Sequence, residues 1–556
     1  MKTKLLMLAL LTLGLMQQNH AQFIREYSKL PGQNVRFAAI IPVDETPTSN
    51  LYVAGNYGTY VFIGEFNQAG DPIWARKINV ADTSITINQL IEDSNGHLVI
   101  VGASINGDFG KAFALKFNPF SKNLMWYQKS TVNSFFWDIA EMADGGDYVI
   151  GGQETGTGAG NQTDDITVIA NRNTGTMTTI SSLNKNINES VEALVYDENS
   201  ASIYTTGRYE LLSGASKFRI CLSNLNTDGT VNFTRSYIES TATTGRYYSE
   251  DLMQDGDTLI IVGAGDDAGT NSIRYLWLIK TDMDGNAFLT NKYDITGVTN
   301  DGLFSAIKKH NDGYIVYGSL HNGSKFSDIF LFNLDQSGSI VWAKSYPFST
   351  RTPTTGLYNS SSMAIVGEHI FQVGEKRQLD GTMKGVFMKT PVASGEVGEC
   401  GTDIICTVTS LLDNYDAVQT LSQVSSAVTF TASAPTRSKH TFNSETTCAA
   451  NGLGMESTNS DLLVEDNLDF KSELMEQVAT VYPNPTTGLV LIKNPNDAGQ
   501  LMKINLLDVS GALIQTYKST EAQFVLNLQS FANGIYLVSI VDVESGASNT
   551  VRVVKQ

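Results

Sequence analysis

The sequence is poor in the residues from which most catalytic and metal centres are made, with 6 His, 4 Cys and 5 Trp spread over 556 residues. Four cysteines cannot staple a disulfide scaffold, although an oxidising compartment permits a bridge. Positive charge is also scarce. The 38 Lys and Arg are outweighed by 57 Asp and Glu, and a net charge of −19 repels phosphate backbones and anionic membrane surfaces. Nucleic acid is therefore excluded as an expected partner. Beyond residue 22 no run approaches about 18 uninterrupted apolar residues, so no transmembrane segment is expected in the mature chain. Apolar spacing of three and four, the mark of amphipathic helices, is missing from the body of the chain.

What is present begins with a targeting pattern. Lys2 and Lys4 precede the apolar stretch 5–16 and the polar residues 17–22, the layout of a secretory signal peptide over residues 1–22 with cleavage near Ala21. Further along, 42% hydrophobic residues and 48 Gly are enough for two or more folded cores.

A strand ending in glycine recurs at Gly55, Gly102, Gly152, Gly207, Gly263, Gly318 and Gly374, at intervals of 47 to 56 residues. Each copy has the same local order of four strands separated by polar loops and by turns rich in Asp, Asn and Gly, residues that supply the positive φ of tight reversals. Four antiparallel strands repeated at this period describe the blades of a β-propeller. The fold class is thus all-β, a seven-bladed β-propeller over residues 23–395. The repeated glycine is read as a site where backbones approach too closely for a Cβ.

The seventh copy lacks its fourth strand, running from Thr390 into Ala393 and Cys400 without one. A surplus strand stands at the mature N-terminus, where Phe23, Ile24 and Tyr27 are expected to complete the seventh blade and close the ring, removing an exposed edge. These features resemble secreted Bacteroidetes propellers with a Gly-x-x-x-Trp hairpin.

Residues 396–478 break the repeat and read as a connecting region with two strands, 404–409 and 427–432, and an acidic linker. Seven carboxylates against Lys471 within 455–477 favour an extended chain. Cys400, Cys406 and Cys448 can supply one bridge, and spacing does not choose among the three pairings. Cys221, within an apolar run, reads as a small buried thiol.

From residue 479 the chain becomes a small immunoglobulin-like β-sandwich. Pro483, Asn484, Pro485, Gly488, Gly511, Gly534 and Tyr536 stand in the order and spacing of the type A sorting domain of the type IX secretion system, and the stretch 479–556 resembles that family throughout. The resemblance implies recognition by the outer-membrane translocon and a secreted or cell-surface location.

Three functions remain open for the propeller. An enzyme acting on polysaccharide would need a convergent set of acids, bases or metal ligands. The sialidase box is absent, and His97, His310 and His369 fall on the face opposite the expected ligand loops, leaving only His321 near it. Asp164, Asp165, Asp266, Asp267 and Asp282 read as turn formers rather than calcium ligands or acids. Phe135, Phe136 and Trp137 read as core, with a sugar platform as the alternative. No catalytic, cofactor or metal residue is assigned. The expectation is a surface-displayed binding or adhesion protein for an unknown glycan or protein, with a structural component of an extracellular assembly as the third reading.

Overall fold

The computed structural model describes residues 23–28, 34–80, 84–106, 109–143, 145–155, 163–181, 189–210, 218–237, 246–266, 275–295, 300–321, 327–350, 362–377, 382–395, 397, 402–403, 406–410, 417–418, 430–432, 436–439, 443–449, 480–482, 486–493, 502–507, 513–519, 523–542 and 548–556. The chain divides into two compact units, within residues 1–461 and 462–556. Among the described residues no helix is long and apolar enough to cross a membrane.

The first unit is a seven-bladed propeller. Blades 1 to 6 cover residues 35–79, 84–130, 134–181, 189–237, 246–295 and 300–350, each an antiparallel sheet of four sequential strands. Blade 7 is composite. Its strands Met363–Val366, His369–Arg377 and Met383–Pro391 are joined on the outer side by Phe23–Ser28, which pairs antiparallel with the third strand from Phe23 opposite Lys389 to Tyr27 opposite Gly385.

Apolar side chains on both faces of the blades make seven hydrophobic clusters, one for each contact between neighbouring blades. The cluster that joins blade 7 to blade 1 holds Phe23 and Tyr27 together with Phe37, Phe66 and Phe387. The smallest among the described residues joins blades 3 and 4 through Val149, Leu194, Ile203 and Leu225.

A recurring hydrogen bond pins the outer strands of blades 4, 5 and 6 to the next blade. Tyr237 Oη donates to Gly285 O at 2.7 Å, Tyr293 Oη to Gly338 O at 2.6 Å, and Tyr346 Oη to Gly395 O. The accepting glycines have φ of +78°, +76° and +64°, a conformation that lets the turn curl under the phenol. Tyr27 Oη makes the same bond, at 2.6 Å, to Gly70 O of blade 1. The N-terminal strand therefore does for blade 1 what the outer strands of blades 4, 5 and 6 do for their successors.

The segment after blade 7 carries more strands than its sequence pattern suggests. Thr402–Asp403, Cys406–Ser410, Ala417–Val418, Phe430–Ala432, Thr436–Lys439 and Asn443–Ala449 add a fifth, outermost strand to blades 6, 5, 4, 2, 1 and 7 in that order. The chain thus runs back around the rim against the blade order. Backbone pairing on an open edge requires no apolar alternation, and for this reason these strands leave little trace in the sequence.

The second unit is a β-sandwich. Thr480–Tyr482, Leu489–Lys493 and Gln523–Asn527 form one sheet, and Leu513–Ser519, Met502–Leu507, Gly534–Asp542 and Ser548–Lys555 form the other. Val490, Ile504, Leu526, Val538 and Val553 fill the space between them.

Candidate binding mouth and sorting unit

The innermost strand of each of blades 1 to 6 contains a β-bulge. Pairing with the second strand skips one residue, in turn Ala38, Asn88, Trp137, Glu192, Glu250 and Ser305. The repeated glycine lies opposite each bulge. A Cβ on Gly55, Gly102, Gly152, Gly207 or Gly263 would fall between 1.7 and 2.1 Å from a carbonyl oxygen of the bulged strand, a separation no side chain tolerates. Here the sequence motif and the axial geometry have one cause. The bulge turns one residue per blade out of the ladder and toward the axis, and only glycine leaves room for the displaced carbonyl.

Buried polar groups next to the bulges tie the inner strands of blades 2 and 3, 3 and 4, and 5 and 6 to one another. Asn88 Nδ2 donates to Phe136 O at 2.6 Å, and Gln89 Nε2 donates to Asp138 Oδ1 at 2.6 Å. Asp138 Oδ2 accepts from Leu194 N at 2.7 Å, and Asp251 Oδ2 accepts from Ile307 N at 2.8 Å. Burial pushes both aspartates above the usual carboxylate range, Asp251 up to about 7, with the charge of Lys308 working in the opposite direction.

The bulge residues differ around the axis. In blades 3, 4 and 5 they are large or charged and half-buried, while their neighbours Phe136, Asp138, Val191, Ala193, Ser249 and Asp251 are buried. Phe135 and Trp137 stack on each other, with ring centroids 5.6 Å apart and planes 10° from parallel. Trp137 Nε1 has no hydrogen-bond partner among the described residues. Only Phe136 of this run belongs to the core, so the expectation of a buried aromatic triplet is corrected for Phe135 and Trp137. An inner strand touches solvent along its axial side, and the bulge exposes what alternation alone would bury.

Beside the stacked pair, Arg208 lies 3.6 Å from Glu192 Oε1 through Nε and reaches Gln153 Oε1 at 3.4 Å. Ser190 Oγ donates to Glu192 Oε1 at 2.6 Å. Glu250 is pushed well above the carboxylate range, first by burial and then by the neighbouring Glu192 charge, with Arg208 offsetting part of this. The mouth thus presents an aromatic surface, two carboxyls and a guanidinium on the face where the second strands end. At the other end of the axis a cavity of about 370 Å³ is lined by Ile40, Pro42, Leu90, Glu92 and Lys308, and burial with the nearby Asp93 and Asp44 charges raises Glu92 to about 7.

Other candidate residues fall elsewhere. Asp282 Oδ1 accepts from the backbone N of Asp284 and Asn286 within its own turn, which is turn formation. Asp164 is buried and raised by that burial, and Asp267 and Cys400 lie outside the described residues, as do the side chains of His321, Cys406 and Cys448. Cys221 is half-buried rather than enclosed, with Sγ 3.9 Å from Ser223 Oγ. It faces a small crevice with Asp165, Thr205 and Arg208, beside the blade 3–4 contact that has the fewest enclosed apolar side chains among the described residues.

In the second unit, Thr486 N donates to Val554 O at 2.8 Å and Gln556 N to Thr486 O at 2.9 Å, so the last strand grips the segment that follows residue 485. Lys555 is buried and donates to Gln529 O at 3.2 Å and to Phe531 O. Tyr536 Oη donates to Ala532 O at 2.7 Å. Gly488 has φ of +144°, and a Cβ there would meet Gln529 Cγ at 2.7 Å. Pro483, Asn484, Pro485 and Gly511 lie outside the described residues.

Residues 480–556 match the family described as the secretion system C-terminal sorting domain. The second unit is a sorting domain. It marks the whole chain as a substrate of the type IX secretion system, with the propeller as its cargo. Among curated proteins nothing matches. Among solved structures the chain is similar to a protein of unknown function from Dyadobacter fermentans, with 8% identity over 55% of this chain and 94% of that one and a TM-score of 0.38. It is also similar to Kuenenia stuttgartiensis hydrazine synthase (11%, 64% and 96%, TM-score 0.41) and to the phage phi92 endosialidase (10%, 92% and 88%, TM-score 0.35). None of these lends the sorting-domain protein an activity.

Proposed function

We propose that this type IX substrate is a binding protein of the cell surface whose propeller takes a saccharide at the axial mouth of blades 3 to 5. The observation that carries the reading is the stacked, half-exposed pair Phe135 and Trp137, set beside Glu192, Glu250 and Arg208. Sugar rings bind by laying their C–H faces on aromatic surfaces while carboxylates and guanidinium groups take up the hydroxyls. The reading includes removal of residues 1–22 as a signal peptide and recognition of the sorting domain through Pro483, Asn484, Pro485, Gly488, Gly511, Gly534 and Tyr536 by the outer-membrane translocon of a Bacteroidetes cell.

The test is a glycan array probed with the secreted protein, followed by titration of the best hit. Trp137→Ala should weaken that binding by up to about tenfold, the loss of one aromatic stacking contact of about 1.4 kcal/mol. Unchanged affinity in Trp137→Ala, or no glycan retained by a folded wild-type protein, overturns the reading. One further observation favours a second reading, hydrolysis of the bound glycan: burial and the neighbouring Glu192 charge raise the proton affinity of Glu250, and two carboxyls pushed apart in this way suit an acid and a base. Release of reducing ends that is lost in Glu250→Gln would support it.

A further inference from the structure

We propose that the cavity at the far end of the axis from the saccharide mouth binds a small zwitterion with an apolar body, the chemistry shared by a free apolar α-amino acid and a short apolar peptide. The cavity, of about 370 Å³, lies where the inner strands of blades 1 and 2 reach their turns. Ile40, Pro42 and Val43 wall it from blade 1, Leu90 and Ile91 from blade 2, and Lys308 enters from blade 6. Small-molecule sites run from roughly 300 to 1,000 Å³, so this one has room for an amino acid or a dipeptide and not for a polymer.

The walls carry one cation and one carboxyl that have no hydrogen-bond or ion-pair partner among the described residues. The cation is Lys308. Other lysines at this end of the blades are matched: Lys116 Nζ lies 2.7 Å from Asp93 Oδ2, Lys280 Nζ donates to Tyr314 Oη at 3.0 Å, and Lys309 Nζ meets Asp255. The charge of Lys308 is felt by the buried Asp138 and Asp251. Their oxygens, however, accept from Gln89 Nε2, Ile139 N and Leu194 N, and from Leu252 N and Ile307 N. The ammonium is left to the cavity.

The carboxyl is Glu92, which ends the inner strand of blade 2 and is half-buried. Burial and the charges of Asp93 and Asp44 raise it to about 7, as expected of a carboxyl that lacks a counter-ion. Asp44 is engaged in its own turn, where it accepts from Thr46 N at 2.8 Å. A ligand carboxylate on Lys308 and a ligand ammonium on Glu92 complete both groups at once. A simple anion would meet Glu92 and Asp44, and a simple cation would meet Lys308. A zwitterion avoids both conflicts and, being neutral, is not repelled by the net charge of −19. The apolar walls take its side chain and, by excluding water, strengthen both charge-assisted contacts. None of these residues belongs to the mouth of blades 3 to 5, so the site stands whether or not a saccharide binds there.

The experiment is calorimetric titration of the secreted protein with L-leucine, L-phenylalanine and L-leucyl-L-leucine. At least one should bind, and the tighter class, amino acid or dipeptide, identifies the source. The best binder is then titrated in two blocked forms, acetylated at its amine or amidated at its carboxyl. Each should bind at least about tenfold more weakly, the loss of one charge-assisted hydrogen bond. Lys308→Met should cause a loss of the same size, and in Glu92→Gln the acetylated and free forms should bind alike. No binding of any of the three by folded wild-type protein, full affinity for either blocked form, or unchanged affinity in Lys308→Met overturns the proposal. If Lys308→Met is not exported, the blocked ligands and Glu92→Gln decide.

Discussion

Blade 7 and blades 1 to 6 reach the same four-stranded sheet by different routes. The six share a bulged inner strand, a glycine facing the bulge, and an outer strand that follows directly in sequence. The described part of blade 7's inner strand, Met363–Val366, pairs with the second strand from Met363 opposite Gln372 to Val366 opposite His369, and its outer strand comes from the other end of the propeller. In blades 1 to 6 the glycine makes room for the bulge, whereas the feature that sets blade 7 apart is the origin of its outer strand.

The largest break in this comparison is removal of residues 23–28. Phe23, Ile24 and Tyr27 are at most 5% exposed, and enclosing three such side chains stabilises by roughly 1.5–3 kcal/mol each. The deletion also opens the edges of Met383–Pro391 and Asn443–Ala449. A loss of more than about 5 kcal/mol is expected in chemical denaturation, and a melting curve equal to wild type would contradict the ring closure.

Next in size is a pair of matched substitutions. Gly207→Ala should cost about 3 kcal/mol or more, because its Cβ would lie 1.7 Å from Ser190 O and the bulge would have to shift. Gly263→Ala, whose Cβ would lie 1.9 Å from Tyr248 O, should cost a similar amount. Costs within about 0.5 kcal/mol of wild type at both positions would show that the bulge yields to a Cβ.

The third test is the pH dependence contributed by the buried polar groups between the inner strands. Asp251, raised by burial to about 7 from 3.8, binds its proton more tightly folded than unfolded. Its contribution is fully present below about pH 4 and is lost as pH rises through 7, with a slope of at most about 1.4 kcal/mol per pH unit in that window. Asp251→Asn should flatten this part of the stability profile. An unaltered profile would mean that the carboxyl stays ionised in the folded protein.

The smallest expected effect concerns the staples between blades. Tyr27→Phe and Tyr293→Phe each remove one buried hydrogen bond to a turn carbonyl, for about 1 kcal/mol each. Similar losses at the two sites would show that the strand supplied from the N-terminus bears the same load as one supplied in sequence.

Much of the propeller was legible because its most crowded positions are glycines, and an obligatory glycine recurs visibly where a Val or Ile would vary. The sorting domain was legible for a related reason, since Gly488 and Tyr536 each answer a local backbone demand. The rim strands were not, because pairing on an edge places no demand on side-chain type. The mouth was hidden by the bulge itself. Phe135, Phe136 and Trp137 form one aromatic run in sequence, and only the skipped register at Trp137 separates the core residue from the two that stack half-buried beside it. Glu192 and Glu250 carried no signal, because each shares its strand with other carboxylates, Glu189 and Asp251 among them, and their partnership depends on neighbouring blades.

The path of the rim strands also sets an order in time. Residues 23–28 are made early, yet one of their partners lies at 383–391 and the other at 443–449. Their pairings span some of the longest sequence separations in the molecule, and contacts of that kind form late because the loop must close before they give any return. The opening strand therefore waits, with Phe23, Ile24 and Tyr27 uncovered, until almost the whole propeller has been synthesised. During that interval the nascent chain has an apolar strand at its head and an unfilled blade at its tail, each of which another molecule could pair with.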